Sequence, residues 1–132
     1  MTDVLHDPET GGSAELTRRD GGILQIRYAG SISLAFVEKT ADRIITRIED
    51  GARRILYLVE DSTPLFTPAE LTDEVRRVGR AGNRQARFAY LAPEDMFTKH
   101  FMLIEAAAFN EGVTVKFFSD KAAARAWLTE DN

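Results

Sequence analysis

The residues able to carry chemistry are few and badly placed for it. The chain has two histidines and no cysteine, which removes thiol nucleophiles, disulfides and thiolate metal sites. His6 stands near the start and His100 inside a helical stretch beside Phe97, Phe101 and Ile104, with neither His-x-x-x-His nor Glu-x-x-His spacing for a metal. Ser62 follows Asp61, but no histidine or lysine is assigned to activate its hydroxyl. The carboxylate pairs Glu49-Asp50, Glu60-Asp61 and Glu94-Asp95 fall at element ends, where solvation explains them. The glycines at 21, 22, 79 and 82 make neither GxGxxG nor a Walker loop. The expectation is therefore a non-enzymatic domain with no catalytic residue, no metal and no cofactor.

Composition sets the class. With 132 residues, 44% hydrophobic and 29% charged, the chain suits one ordinary globular core. A net charge of −4 and a pI near 5.2 argue against nucleic-acid binding. No apolar stretch approaches the roughly 18 residues of a membrane span, and the start lacks a secretory signal pattern. A cytoplasmic location is expected. Arg76, Arg77, Arg80, Arg84 and Arg87 form an acid-free basic run, and the first four are candidates for an anion patch. A solvated helix end, with arginine favourable near the C-terminal dipole, is the plainer reading of the run.

Periodicity supplies the elements. Residues 1–12 carry no period and read as a flexible tail, followed by one domain over 13–132. Ala14–Asp20 and Ile23–Tyr28 read as a hairpin turned by Asp20-Gly21-Gly22. A helix capped by Ser31 or Ser33 runs to Asp50, with Leu34, Val37, Ala41, Ile44, Ile45 and Ile48 on one stripe. Ile55–Val59 is a continuous apolar run, as in a strand covered on both faces. Thr67-Pro68-Ala69-Glu70 is a capping box with proline at the first helical position, and Phe66 and Leu71 are spaced as a hydrophobic staple. Leu71, Val75 and Val78 face inward, and Gly79 or Gly82 stops that helix. Arg87–Ala92 is a strand, and Pro93-Glu94-Asp95 opens a third helix that runs to about Asn110. Gly112 then leads through Val113, Val115 and Phe117 into a helix capped by Ser119 or Asp120, with Trp127 and Leu128 on its apolar side. Trp127 is expected to lie beside Val115 or Phe117. The order is β-β-α-β-α-β-α-β-α, an α/β fold with a mostly parallel sheet and an antiparallel N-terminal hairpin.

From about Ala14 to Leu128 this order and spacing resembles the SpoIIAA-like branch of the STAS superfamily, closest to small bacterial proteins described as STAS-like or CRAL-TRIO-like. The resemblance rests on four features. The strand Ile23–Tyr28 ends in Gly30 before a long helix. The apolar strand Ile55–Val59 ends in Glu60 and Asp61. The strand Phe88–Ala92 leads through Pro93-Glu94-Asp95 into an aromatic-rich helix, and Gly112–Asp120 precedes Ala126-Trp127-Leu128. In the antagonists of this family a serine at the helix start after the third strand is phosphorylated, and that helix with its loops docks the partner. The matching stretch here, Asp61 to Pro68, lacks Asp-Ser-Ser-Gly and offers Ser62, Thr63 and Thr67 as hydroxyls. The resemblance implies regulation through protein contacts, with a homodimer as one form; a carrier of a small apolar or lipid-like ligand under the third helix is the alternative.

Two candidate sites follow. Ligands of parallel sheets gather at the carboxyl ends of strands, here at Ser31, at Asp61, Ser62 and Thr63, at Pro93-Glu94, and at Ser119-Asp120. The acids there disfavour an anionic ligand. On the third helix, Met102 and Phe109 fall away from the stripe of Phe97, Phe101, Ile104 and Ala108, alongside Thr98 and Glu105. That pair is a candidate interface or pocket wall.

Overall fold

The computed structural model describes residues 2–82, 85–92, 99–110 and 112–130, apart from the side chains of Pro68, Lys99, His100, Phe101, Leu103 and Ala107. Six strands form one sheet: β1 (Thr2–His6), β2 (Ser13–Arg19), β3 (Ile23–Ile32), β4 (Arg54–Pro64), β5 (Arg87–Leu91) and β6 (Thr114–Phe118). They lie side by side in chain order. The pairs β1/β2 and β2/β3 are antiparallel, and the rest are parallel. Helices α1 (Leu34–Glu49), α2 (Pro68–Ala81) and α3 (Lys99–Asn110) make the three crossovers, and α4 (Lys121–Leu128) follows β6. Right-handed crossovers between strands in sequential order place α1, α2 and α3 on one face.

Strand alternation divides the core accordingly. Leu24, Ile26, Tyr28, Ile55, Tyr57, Phe88 and Tyr90 face the three helices and pack with Ile44, Val78 and Ile104. Ile23, Leu56, Ala89 and Leu91 point the other way and meet Ala124 and Leu128 of α4. Trp127 therefore does not lie beside Val115 or Phe117, which belong to the three-helix side. It is half-buried and tilted against Phe118, 5.7 Å between ring centroids. The reason is topological: α1, α2 and α3 cover one face of the sheet, and α4 packs on the other.

The N-terminal segment is the largest departure from expectation. Residues read as a tail form β1, which pairs with β2 from Thr2↔Thr17 to His6↔Ser13. Three tertiary contacts hold it. Leu5 is buried in the core. Asp3 pairs with Arg47 and Arg43 of α1. Asp7, 2% exposed, accepts hydrogen bonds from the Ser33 hydroxyl at 2.7 Å and the Ser33 N–H at 3.1 Å. A second departure is β4. The stretch Asp61–Thr63 is strand, in register with Ala29, Gly30 and Ser31 of β3 after a bulge.

Local signals elsewhere behave as their chemistry requires. Ser33 caps α1, accepting from the Phe36 N–H. Thr67 and Glu70 form the reciprocal capping box of α2. Gly82 is the C-cap of α2, whereas Gly79 is buried against Val113. Phe66 and Leu71 pack at the core margin.

Candidate functional site

At the carboxyl ends of the strands the chain satisfies itself. Ser31 and Thr63 are register partners. The Ser31 carbonyl accepts from the Thr10 hydroxyl at 2.5 Å. The Ser62 hydroxyl donates to the Val59 carbonyl at 2.8 Å across the bulge. Asp61 binds the Arg27 guanidinium at 2.9 Å, and that bond with the attendant charge raises the arginine's pKa. The structure thus brings Ser31, Asp61, Ser62 and Thr63 together as paired strand rather than as an open loop. Pro93-Glu94 lies outside the described residues, and Asp120 is spent as the α4 cap.

Asp7 completes this region, and no local pattern around it marks the role. Its burial pushes the carboxyl pKa up, but bonds from the Ser33 hydroxyl and N–H, the Glu9 N–H and Thr10 outweigh that and bring it down to about 2. A carboxylate at a helix N-terminus is favoured by the dipole and the free N–H groups. The anion-binding end of α1 is therefore filled by the chain's own side chain. The start of α2 is closed by its capping box.

Beneath the helices lies a second polar feature not anticipated from sequence. Ile26, Tyr57, Tyr90 and Phe117 form one cross-strand row. Tyr57 and Tyr90 stack at 4.4 Å between centroids, Tyr90 and Phe117 at 5.0 Å. Tyr28 shares a hydrogen bond with Thr40, whose hydroxyl also donates to the Phe36 carbonyl at 2.9 Å. Burial raises the pKa of all three tyrosines, so they stay protonated and act as packed, hydrogen-bonded wedges. The common parity of Tyr57 and Tyr90 in their strands was the one available signal.

The basic run is dispersed. Arg77 bridges α2 to α1 through Asp42 at 2.6 Å and also holds Glu74 at 2.9 Å; these bonds raise its pKa. Arg76 lies 3.6 Å from Asp73. Arg80 is exposed on the last turn of α2, and Arg84 lies outside the described residues. Arg87 reaches the opposite side of the sheet, donating to the Trp127 carbonyl at 2.8 Å and the Glu130 carbonyl at 3.1 Å. Arg76, Arg77 and Arg87 are tied to separate partners rather than gathered into one cradle.

On α3 the structure places Met102, Glu105 and Phe109 of the expected constellation. Ile104 and Ala108 are buried, while Met102 is 70% and Phe109 81% exposed. Seven residues apart, the pair shares one face. Ala106, also exposed, sits between them. Glu105, one turn from each of them, reaches β6 and accepts the Phe117 N–H at 3.2 Å. Phe97 and Thr98 lie outside the described residues, as do the side chains of Phe101 and His100. Among the described residues no three His, Cys, Asp or Glu side chains form a metal-binding group, and no helix is long and apolar enough to cross a membrane.

No curated protein matches the chain. Solved structures that share its fold include the following three. An anti-sigma factor antagonist from Mycobacterium paratuberculosis is 10% identical with a TM-score of 0.68, covering 96% of this chain and all (100%) of that one. The anti-sigma factor antagonist SpoIIAA in its unphosphorylated form is 18% identical at 0.61, covering 86% and 96%. An uncharacterized protein with a SpoIIAA-like fold from Shewanella loihica PV-4 is 16% identical at 0.60, covering 94% and 98%. The SpoIIAA-like family model matches residues 23–129, from the first residue of β3 to just past α4, and the chain belongs to that family.

Proposed function

We propose that this protein is a non-enzymatic regulatory domain of the cytoplasm that works through protein contacts made by the outer face of α3. The observation that carries the reading is the exposure of Met102 and Phe109 on one helix face. Two large apolar side chains left in water forgo about 1.5–3 kcal/mol each relative to full burial, and a flexible thioether beside a rigid ring suits an anchor for a partner. Two of the fold's neighbours are anti-sigma factor antagonists by name, which supports a regulatory role.

The inner side of α3 argues against the carrier alternative. Among the described residues, Ile104 and Ala108 belong to the same packed cluster as Val113, Phe88 and Tyr90, which favours contacts on the outer face over a ligand beneath the helix. The α3 face takes another protein. The test is M102E/F109E, with native mass spectrometry of protein from its own host reading the complex with that second protein. The double variant should keep its fold and lose the complex, because an interface does not tolerate an unpaired charge. Unfolding would assign the pair to the core, and an unaltered complex would remove α3 as the contact surface.

A further inference from the structure

The two edges of the sheet are built differently. At β6 the Phe117 N–H donates to the Glu105 carboxylate, and Lys116 stands on the strand. A carboxylate on an edge N–H and a lysine in the strand both discourage a further strand from adding. β1 carries neither device. Its sequence, Thr2-Asp3-Val4-Leu5-His6, contains no proline or lysine, and it pairs with β2 in unbroken register.

The direction of its backbone groups follows from one bond. The Asp7 N–H donates to the Gly12 carbonyl at 2.8 Å, so Asp3, Leu5 and Asp7 turn their N–H and C=O groups toward β2. By alternation, Thr2, Val4 and His6 present theirs outward. The side chains of these three are exposed, and Val4 is 51% exposed. Asp3 and Leu5 point toward the helices, where Leu5 is buried and Asp3 is bound by Arg43 and Arg47. Among the described residues the strand is thus anchored on one side and open along its edge.

We propose that this edge pairs with β1 of a second copy, antiparallel about a two-fold axis at Val4. The occupant follows from self-complementarity. An axis at Val4 sets Val4 against its own copy and Thr2 against His6 of the second copy, so each outward pair exchanges two hydrogen bonds. The facing pairs are Val4 with Val4, Thr2 with His6, and Asp3 with Leu5; no charge opposes a like charge, and Asp3 keeps its arginines. A five-residue edge is a small interface, so the dimer is weak and concentration-dependent. This inference is independent of the α3 reading.

Val4→Pro is the discriminating variant. It deletes the central outward donor and leaves the bonds to β2, because an edge strand tolerates proline where the N–H faces solvent. The parent should show a monomer–dimer equilibrium by sedimentation, and its Val4 and His6 amides should exchange more slowly as concentration rises. Val4→Pro should melt as the parent does and self-associate at least ~10-fold more weakly. Val4→Lys, which sets like charges at the axis, should do the same without a backbone change, and M102E/F109E should leave this dimer intact. A parent that stays monomeric up to millimolar concentration overturns the proposal, as does exchange of those amides that is independent of concentration. Loss of the dimer in M102E/F109E but not in Val4→Pro assigns self-association to α3 and also overturns it.

Discussion

Replacing Gly79 with alanine tests how tightly α2 is seated on the connection that ends α3. The new Cβ would lie 2.4 and 2.7 Å from the two Val113 methyls and 3.1 Å from its Cβ. Neither partner yields easily. Val113 is buried, and its N–H donates to the Ala108 carbonyl at 2.8 Å. Alanine gains about 1 kcal/mol of helix propensity over glycine, while overpacking costs about 1–3 kcal/mol. Contact with both methyls places the clash at the upper end, for a net loss of about 1–2 kcal/mol, or roughly 4 °C per kcal/mol at this chain length. Val113→Ala alone leaves a cavity and costs about 2 kcal/mol. In the double variant the alanine methyl enters that cavity. The pair should therefore be about 2 kcal/mol more stable than the sum of the single losses. Urea unfolding of the four proteins measures the cycle. Additivity within about 0.5 kcal/mol, or a Gly79→Ala protein more stable than the parent, would refute the contact.

Asp7 gives the chain an acid sensitivity with a definite sign. Its folded pKa of about 2 lies below the ordinary 3.8, so the unfolded chain binds the proton first. The stabilisation is complete above the ordinary value and is lost as pH falls through about 2. Asp7→Asn should be less stable at neutral pH, with a shallower loss between those two values; parallel stability–pH curves would contradict this. Trp127→Ala should cost about 2 kcal/mol, less than the ~3–5 of a core tryptophan, because the ring is only half-buried. It also removes the Arg87 guanidinium contact at 5.7 Å from the ring. Thermal unfolding at the parent's temperature would show that α4 does not hold the second face.

Legibility follows the range of the interaction. The Thr67–Glu70 capping box is local, and it forms as its spacing requires. The exposure of Met102 and Phe109 follows from helical angle, since Ile104 and Ala108 mark the buried side among the described residues of α3 and those positions miss it. Asp7 could not be read in this way. Its partner Ser33 is 26 residues away, and Pro8 with Gly11 and Gly12 gives the surrounding segment the composition of a loop. Asp61-Ser62-Thr63 likewise has turn chemistry, yet the ladder from Ala29 to Ile32 holds it as strand. The side taken by α4 depends on which sheet face the crossover helices leave open, so no pattern within Lys121–Leu128 encodes it.

The two proposed contacts stand at opposite ends of one sheet. β1 is one edge, β6 the other, and α3 packs on β6 and α2. Strands about 4.8 Å apart put roughly 24 Å of sheet between β1 and the strand that α3 covers. Pairing through β1 therefore leaves both α3 faces free, pointing outward at the two ends of a doubled sheet. Such a dimer is bivalent: a partner with two copies of the α3-binding element would be held far more tightly than one with a single copy, because the second contact becomes intramolecular. Val4→Pro should then abolish that gain while leaving affinity for the single-copy partner unchanged, whereas M102E/F109E should abolish both. Equal loss of both affinities in Val4→Pro would mean that β1 and α3 belong to one surface, and the separation drawn from the strand order would fail.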